Sequence, residues 1–150
     1  MVRLEGHGLI LEVHHGWEAR MWRPEVDPPA TADPVVRLAN FPLPKTHDTY
    51  AAEVAETLRP GDVLASLVGF GSGSADTALY AARGAPRIKV EDLDPKALQA
   101  PGPGRLGVQR FFTHGGRAFS LYVMAHEGPR LPEALAAVNA SMRSLRVGTP

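Results

Sequence analysis

The stretch Arg105–His126, RLGVQRFFTHGGRAFSLYVMAH, decides how the rest of the chain is read. Gly115-Gly116 suits the two central positions of a primed turn, which need positive φ, and apolar residues alternate on both sides of it. Two antiparallel strands follow, with Phe112 opposite Phe119, Arg110 opposite Leu121, Val108 opposite Val123 and Leu106 opposite Ala125. One face is then mostly apolar. The reverse face carries Arg105, Gln109, Phe111, Ser120, Tyr122, Met124 and His126, hydrogen-bonding groups set among ring and thioether surface.

Just beyond the hairpin, Leu131, Leu135, Val138, Met142 and Leu145 step by four, three, four and three, the apolar stripe of an amphipathic helix opened by Pro132. Phe112, Phe119, Leu135 and Val138 are therefore expected to form structural core between helix and hairpin, with Asn139, Ser141 and Arg143 on the wet side. Arg110 falls on the same apolar face. An unpaired guanidinium would be costly there, so a buried structural pair with Glu12, Glu18 or Asp62 is expected.

Upstream, His7–His14 alternates as a half-buried strand, His15-Gly16 turns, and Trp17–Arg23 returns as a second strand with its two tryptophans on opposite faces. Residues 24–34, PEVDPPATADP, read as an exposed proline-rich loop. Val35–Phe41 is a third strand stopped by Pro42 and Pro44. A helix capped by Asp48 or Thr49 runs to Leu58, and DVLASLVGF from Asp62 to Phe70 is a central strand covered on both faces. Ala75–Arg83 reads as a short helix, Arg87–Val90 as an edge strand, and Asp94-Pro95 as the start of one helical turn through Gln99.

At 150 residues and 44% apolar, the chain is one α+β domain spanning 1–150. The expected architecture is a single curved, mainly antiparallel sheet packed by a long C-terminal helix and shorter ones. Sixteen basic and sixteen acidic residues cancel, which gives no general electrostatic reason to expect nucleic acid or an anionic membrane as partner. The missing cysteines remove disulfides, thiolate metal sites and a cysteine nucleophile, and they fit a cytoplasmic setting. Neither a signal sequence nor a long apolar run is read.

The chemistry-bearing patterns are few. His14-His15 and His47-Asp48 lack the spacing that sets two metal ligands on one face, and the serines lack the GxSxG elbow of a hydrolase, so neither a metal nor a catalytic residue is assigned. Gly69-Phe70-Gly71-Ser72-Gly73 follows an apolar strand and precedes a possible helix. That order suits a Rossmann-like enzyme for a nucleotide or S-adenosylmethionine, with Gly69, Gly71 and Gly73 at phosphate or amino-acid groups and Asp92 at ribose. Ser74 stands where the third glycine belongs, and too few βα units follow. The preferred reading is a non-enzymatic binding or accessory module without cofactor. In it Arg105, Gln109, Tyr122 and His126 line a pocket for a protein partner or small molecule, and self-association through the tryptophan-bearing strands is a further option.

At VVRLANFPLP, RPGDVLASLVGFG and GVQRFFTHGGRAFSLYVMAHEG the chain resembles a group of small uncharacterised bacterial proteins. Its layout, with a Gly16-Trp17 turn after the first strand and an amphipathic helix at the end, is similar to the PsbP-like α+β fold. The resemblance implies a curved antiparallel sheet under helices, and a binding or accessory role without catalysis.

Overall fold

In the computed structural model, residues 1–24, 33–43, 52–98 and 102–148 are described. The strands are β1 (Val2–Gly6), β2 (Leu9–Val13), β3 (Glu18–Trp22), β4 (Val35–Ala39), β5 (Val63–Gly69), β6 (Arg105–His114), β7 (Arg117–His126) and β8 (Arg146–Val147). The helices are a single turn, α1 (Ala52–Ala55), and the longer α2 (Leu131–Arg143). These elements form two antiparallel sheets, β1-β2-β8 and β3-β4-β5-β7-β6. The single curved sheet with several helices is therefore corrected to a mostly β architecture of two sheets.

The β6–β7 hairpin forms in the expected register, Phe112 facing Phe119 and Val108 facing Val123, and its turn glycines adopt φ of 58° and 77°. It does not occupy the sheet centre. β5 does, flanked by β4 and β7, while β6 is an edge. β5 is buried along Val63–Val68 because both of its faces are covered. On one face, β2 and α2 pack Leu9, Leu11, Leu135, Val138 and Met142 against Leu67, Phe112, Phe119 and Val123, with the Phe112 and Phe119 rings stacked 5.6 Å apart. On the other, Leu43, Val54, Ala55, Leu58 and Leu98 cover Leu64, Tyr122 and Met124.

The two strands read at His7–His14 and Trp17–Arg23 form, as β2 and β3, but do not pair with one another. β2 lies between β1 and β8, whereas β3 pairs with β4, so the His15-Gly16 bend carries the chain from one sheet to the other. Strand β1 is an addition to the sequence reading. It is joined to β2 through His7-Gly8, both at positive φ (51° and 80°), in a two-residue hairpin.

The helix expected over Ala75–Arg83 shrinks to a 3₁₀ turn at Ala78–Tyr80. Thr113 accounts for this: its hydroxyl donates to the Tyr80 carbonyl at 2.6 Å and accepts from the Asp76 amide at 2.9 Å, bonds that compete with helical ones. Arg87–Val90 is not a strand, since its backbone is claimed by a side chain of α2. Asp94 caps a 3₁₀ turn at Pro95–Ala97 by accepting from the Lys96 amide. The proposed caps Asp48 and Thr49, Gln99 and most of the proline-rich loop lie outside the described residues.

Candidate functional site

Of the side chains singled out on the mixed hairpin face, Gln109 and Tyr122 fall into a layer under cover. Pairing across the five-stranded sheet sets Arg20, Arg37, Ser66, Tyr122 and Gln109 in one row, a polar line running from edge to edge. Tyr122 is buried among apolar side chains and its hydroxyl donates to the Ala97 carbonyl at 3.3 Å. Gln109 is half-buried, with Nε2 donating to Ser120 Oγ at 3.0 Å. The Arg37 guanidinium, 1% exposed, stacks over Trp22 at 4.9 Å from the ring centroid, and Arg20 Nη2 donates to the Leu43 carbonyl.

Arg105 and His126 are a facing pair at the far end of the hairpin, the first packed against Gly102 and the second against Gly104. His126 Nδ1 meets the Glu127 carbonyl at 3.0 Å. The four residues expected to converge on a ligand are thus spread over a buried row and a strand end. None of them belongs to the four surface depressions lined by Arg87–Glu91 with α2, by Arg3 with Arg146, by Trp17 with Arg130, or by Gly6 with Gly148.

Arg110 was expected in a buried pair with Glu12, Glu18 or Asp62. It lies instead on the edge strand, its side chain 45% exposed, with Nη2 3.8 Å from Asp92. An edge position lets a long side chain carry its charge to water even from the apolar face. Arg37 is the buried arginine.

The start of the Gly69–Gly73 loop stays bonded to β7: the Phe70 amide donates to the Ala118 carbonyl and the Ala118 amide to the Gly71 carbonyl. Its glycines make room for Asp33, whose Cβ and Oδ2 would lie 2.9 Å and 3.0 Å from a Cβ added at Gly69 and Gly71. A carboxylate at that spot repels phosphate. β5 pairs antiparallel on both sides and no α-helix follows the loop, so the geometry of a dinucleotide fold is missing among the described residues. Asp92, the proposed ribose acid, accepts from the Lys89 amide at 2.9 Å.

A groove of about 670 Å³ lies elsewhere, between Arg87–Glu91 and α2. It is built by Asn139, buried on the helix flank expected to be wet. Asn139 Oδ1 accepts from the Ile88 amide and Nδ2 donates to the Ile88 carbonyl, both at 2.8 Å, as a neighbouring strand would. Ile88 is thereby pinned into the main core, and its charged neighbours are left outside. Arg87, Lys89, Arg143 and Glu91 rim the groove; Leu135, Ala136 and Pro132 belong to its helical wall. Arg143 also lines a second depression of about 300 Å³ with Arg3, Arg146, Glu12 and Ser144.

Arg87, Lys89, Arg143 and Arg146 form no ion pair with any described residue. These cations come from two segments far apart in the chain, RIKV and RSLR, which the Asn139–Ile88 hydrogen bonds and the burial of Ile88 against α2 bring together. The local signal was the concentration of basic residues in each. Among the described residues no group of acidic and histidine side chains is placed to hold a metal, and no helix is long and apolar enough to cross a membrane.

Comparison with protein-family models, with curated proteins and with solved structures finds no match for this chain.

Proposed function

We propose that this protein is a cytoplasmic, non-enzymatic binding module that holds an acidic segment of a partner protein in the groove between Arg87–Glu91 and α2. The observation that carries the reading is the set of four cations without ion-pair partners, Arg87, Lys89, Arg143 and Arg146, around two depressions joined at Arg143. Net charge is zero over the chain, so this patch is a local departure from balance rather than part of a generally basic surface. Carboxylates laid along the rim would be paired without displacing an internal contact, and the apolar wall at Leu135 and Pro132 leaves room for interleaved aliphatic side chains. The accessory role implied by the family resemblance points the same way.

Fluorescence anisotropy of a labelled oligoglutamate peptide tests this. Binding is expected at low salt and should weaken steeply as ionic strength rises, because rim charges are screened within about 8–10 Å at physiological salt. The combined R87A/K89A/R143A protein should lose about tenfold or more in affinity while its melting temperature holds, since all three side chains are exposed. Equal binding by that variant, or tighter binding of a DNA oligonucleotide than of the peptide, would overturn the proposal.

A further inference from the structure

We infer that the outer edge of β1 is a self-complementary surface through which two copies of this chain pair, joining their three-stranded sheets into one continuous sheet. Among the described residues β1 pairs with β2 alone, so the other side of its backbone carries no ladder. Which groups point outward follows from the turn. His7-Gly8 is a two-residue primed turn closed by Gly6 and Leu9, and the closing pair of such a hairpin exchanges both backbone bonds. Bonding then alternates along the strand. Gly6, Leu4 and Val2 bond inward to Leu9, Leu11 and Val13, which leaves the amides and carbonyls of Arg3 and Glu5 facing the open edge.

A twofold antiparallel partner has few registers that join outward groups to outward groups. Centred on Arg3 it sets arginine against arginine; centred on Glu5, glutamate against glutamate. Centred on Leu4 it sets Arg3 opposite the partner copy's Glu5 and the reverse, each pair exchanging both backbone bonds. Arg3 and Glu5 already form an ion pair at 3.1 Å within the chain, their side chains 62% and 58% exposed, so the joined edges would carry a lattice of alternating charge. On the reverse side, the same register brings Leu4 to its own copy and lays Val2 against the partner's Gly6. Val2 is 53% exposed, and at Gly6 the Met21 sulfur lies 3.3 Å from where a Cβ would stand, so no side chain of Gly6 itself meets the partner's Val2. Charge and backbone phase select one register. Its narrow contact implies a weak dimer.

Sedimentation velocity over a range of concentrations, with native mass spectrometry, tests this. The wild-type chain should show a concentration-dependent dimer. R3E and E5R, each placing like charges opposite one another, should weaken it by about tenfold or more. An equimolar mixture of R3E and E5R should form a heterodimer, and the double swap R3E/E5R should pair with itself as the wild type does. A wild-type chain monomeric at all concentrations, an E5R protein that dimerises unchanged, or a mixture that fails to heterodimerise would overturn the inference. The double swap provides a paired check in case a single swap disturbs β1. Because the readout is mass, failure here leaves the peptide groove untouched.

Discussion

Replacing Asn139 by alanine removes both hydrogen bonds by which α2 holds Ile88, and it does so where water has little access: Asn139 is 7% exposed and Ile88 2%. The alanine fits the helix and has the higher helical propensity, so the loss comes from the strap rather than from α2 itself. Leaving the Ile88 amide and carbonyl without partners costs roughly 1–3 kcal/mol for each group that stays buried, and local relaxation toward solvent brings the sum to about 2–4 kcal/mol. In a domain of this size each kcal/mol moves the midpoint of thermal unfolding by about 2–4 °C, so a fall on the order of 4–16 °C is expected. Scanning calorimetry measures it, with the exposed Ala136→Ser on the same helix as a near-neutral control. Hydrogen exchange supplies the local readout: protection at the Ile88 amide should drop at least about tenfold beyond the global change, since 1.4 kcal/mol corresponds to that factor. A melting temperature within about 1 °C of wild type together with unchanged protection at Ile88 would falsify the strap, and the groove with it.

Two further substitutions probe neighbouring claims. Gly115→Ala should cost about 1–3 kcal/mol in urea denaturation, because φ is 58° and the new methyl would lie 2.7 Å from Val147 Cβ. Gly116→Ala, at φ 77° but with nothing within 4 Å, should cost only about 1 kcal/mol, and equal losses would mean that β8 does not pack on the hairpin tip. Arg110→Ala should change stability by no more than about 0.5 kcal/mol, as expected of a half-exposed pair at 3.8 Å. A loss above about 2 kcal/mol would restore the buried pair that the sequence suggested.

The elements that could be read from the sequence are those whose period is local. The Gly115-Gly116 hairpin, the apolar run of β5 and the stripe of α2 each announce themselves within a dozen or so residues. Pairing partners are not local. β2 and β3 are consecutive and separated by a bend, so adjacency favoured pairing them, yet Leu9 and Leu11 face the main core from a different sheet than Ala19 and Met21. β1 had a readable signal, VRLEG before His7-Gly8, in the same turn chemistry that identified the later hairpin.

The mixed face of β6–β7 was also recognised correctly as a pattern, with its polar row intact. What covers it comes from α1, Leu43 and Leu98, segments whose arrival over Tyr122 no periodicity announces. Asn139 shows the same limit from the other side. Off the apolar stripe it looked wet, and only a backbone segment from far upstream makes its burial favourable.

The small sheet has a consequence for the chain during its own synthesis. Its middle strand is made well before its last strand, which sets Val147 against Leu9 and Arg146 against Ile10. Until Arg146 and Val147 leave the ribosome, one flank of β2 has no neighbour there, and the Gly8 carbonyl lacks the Gly148 amide that later meets it at 2.8 Å. The nascent polypeptide therefore holds the β1–β2 hairpin without its third strand while β3 to α2 are translated, a long-range pairing that favours slow completion of this sheet.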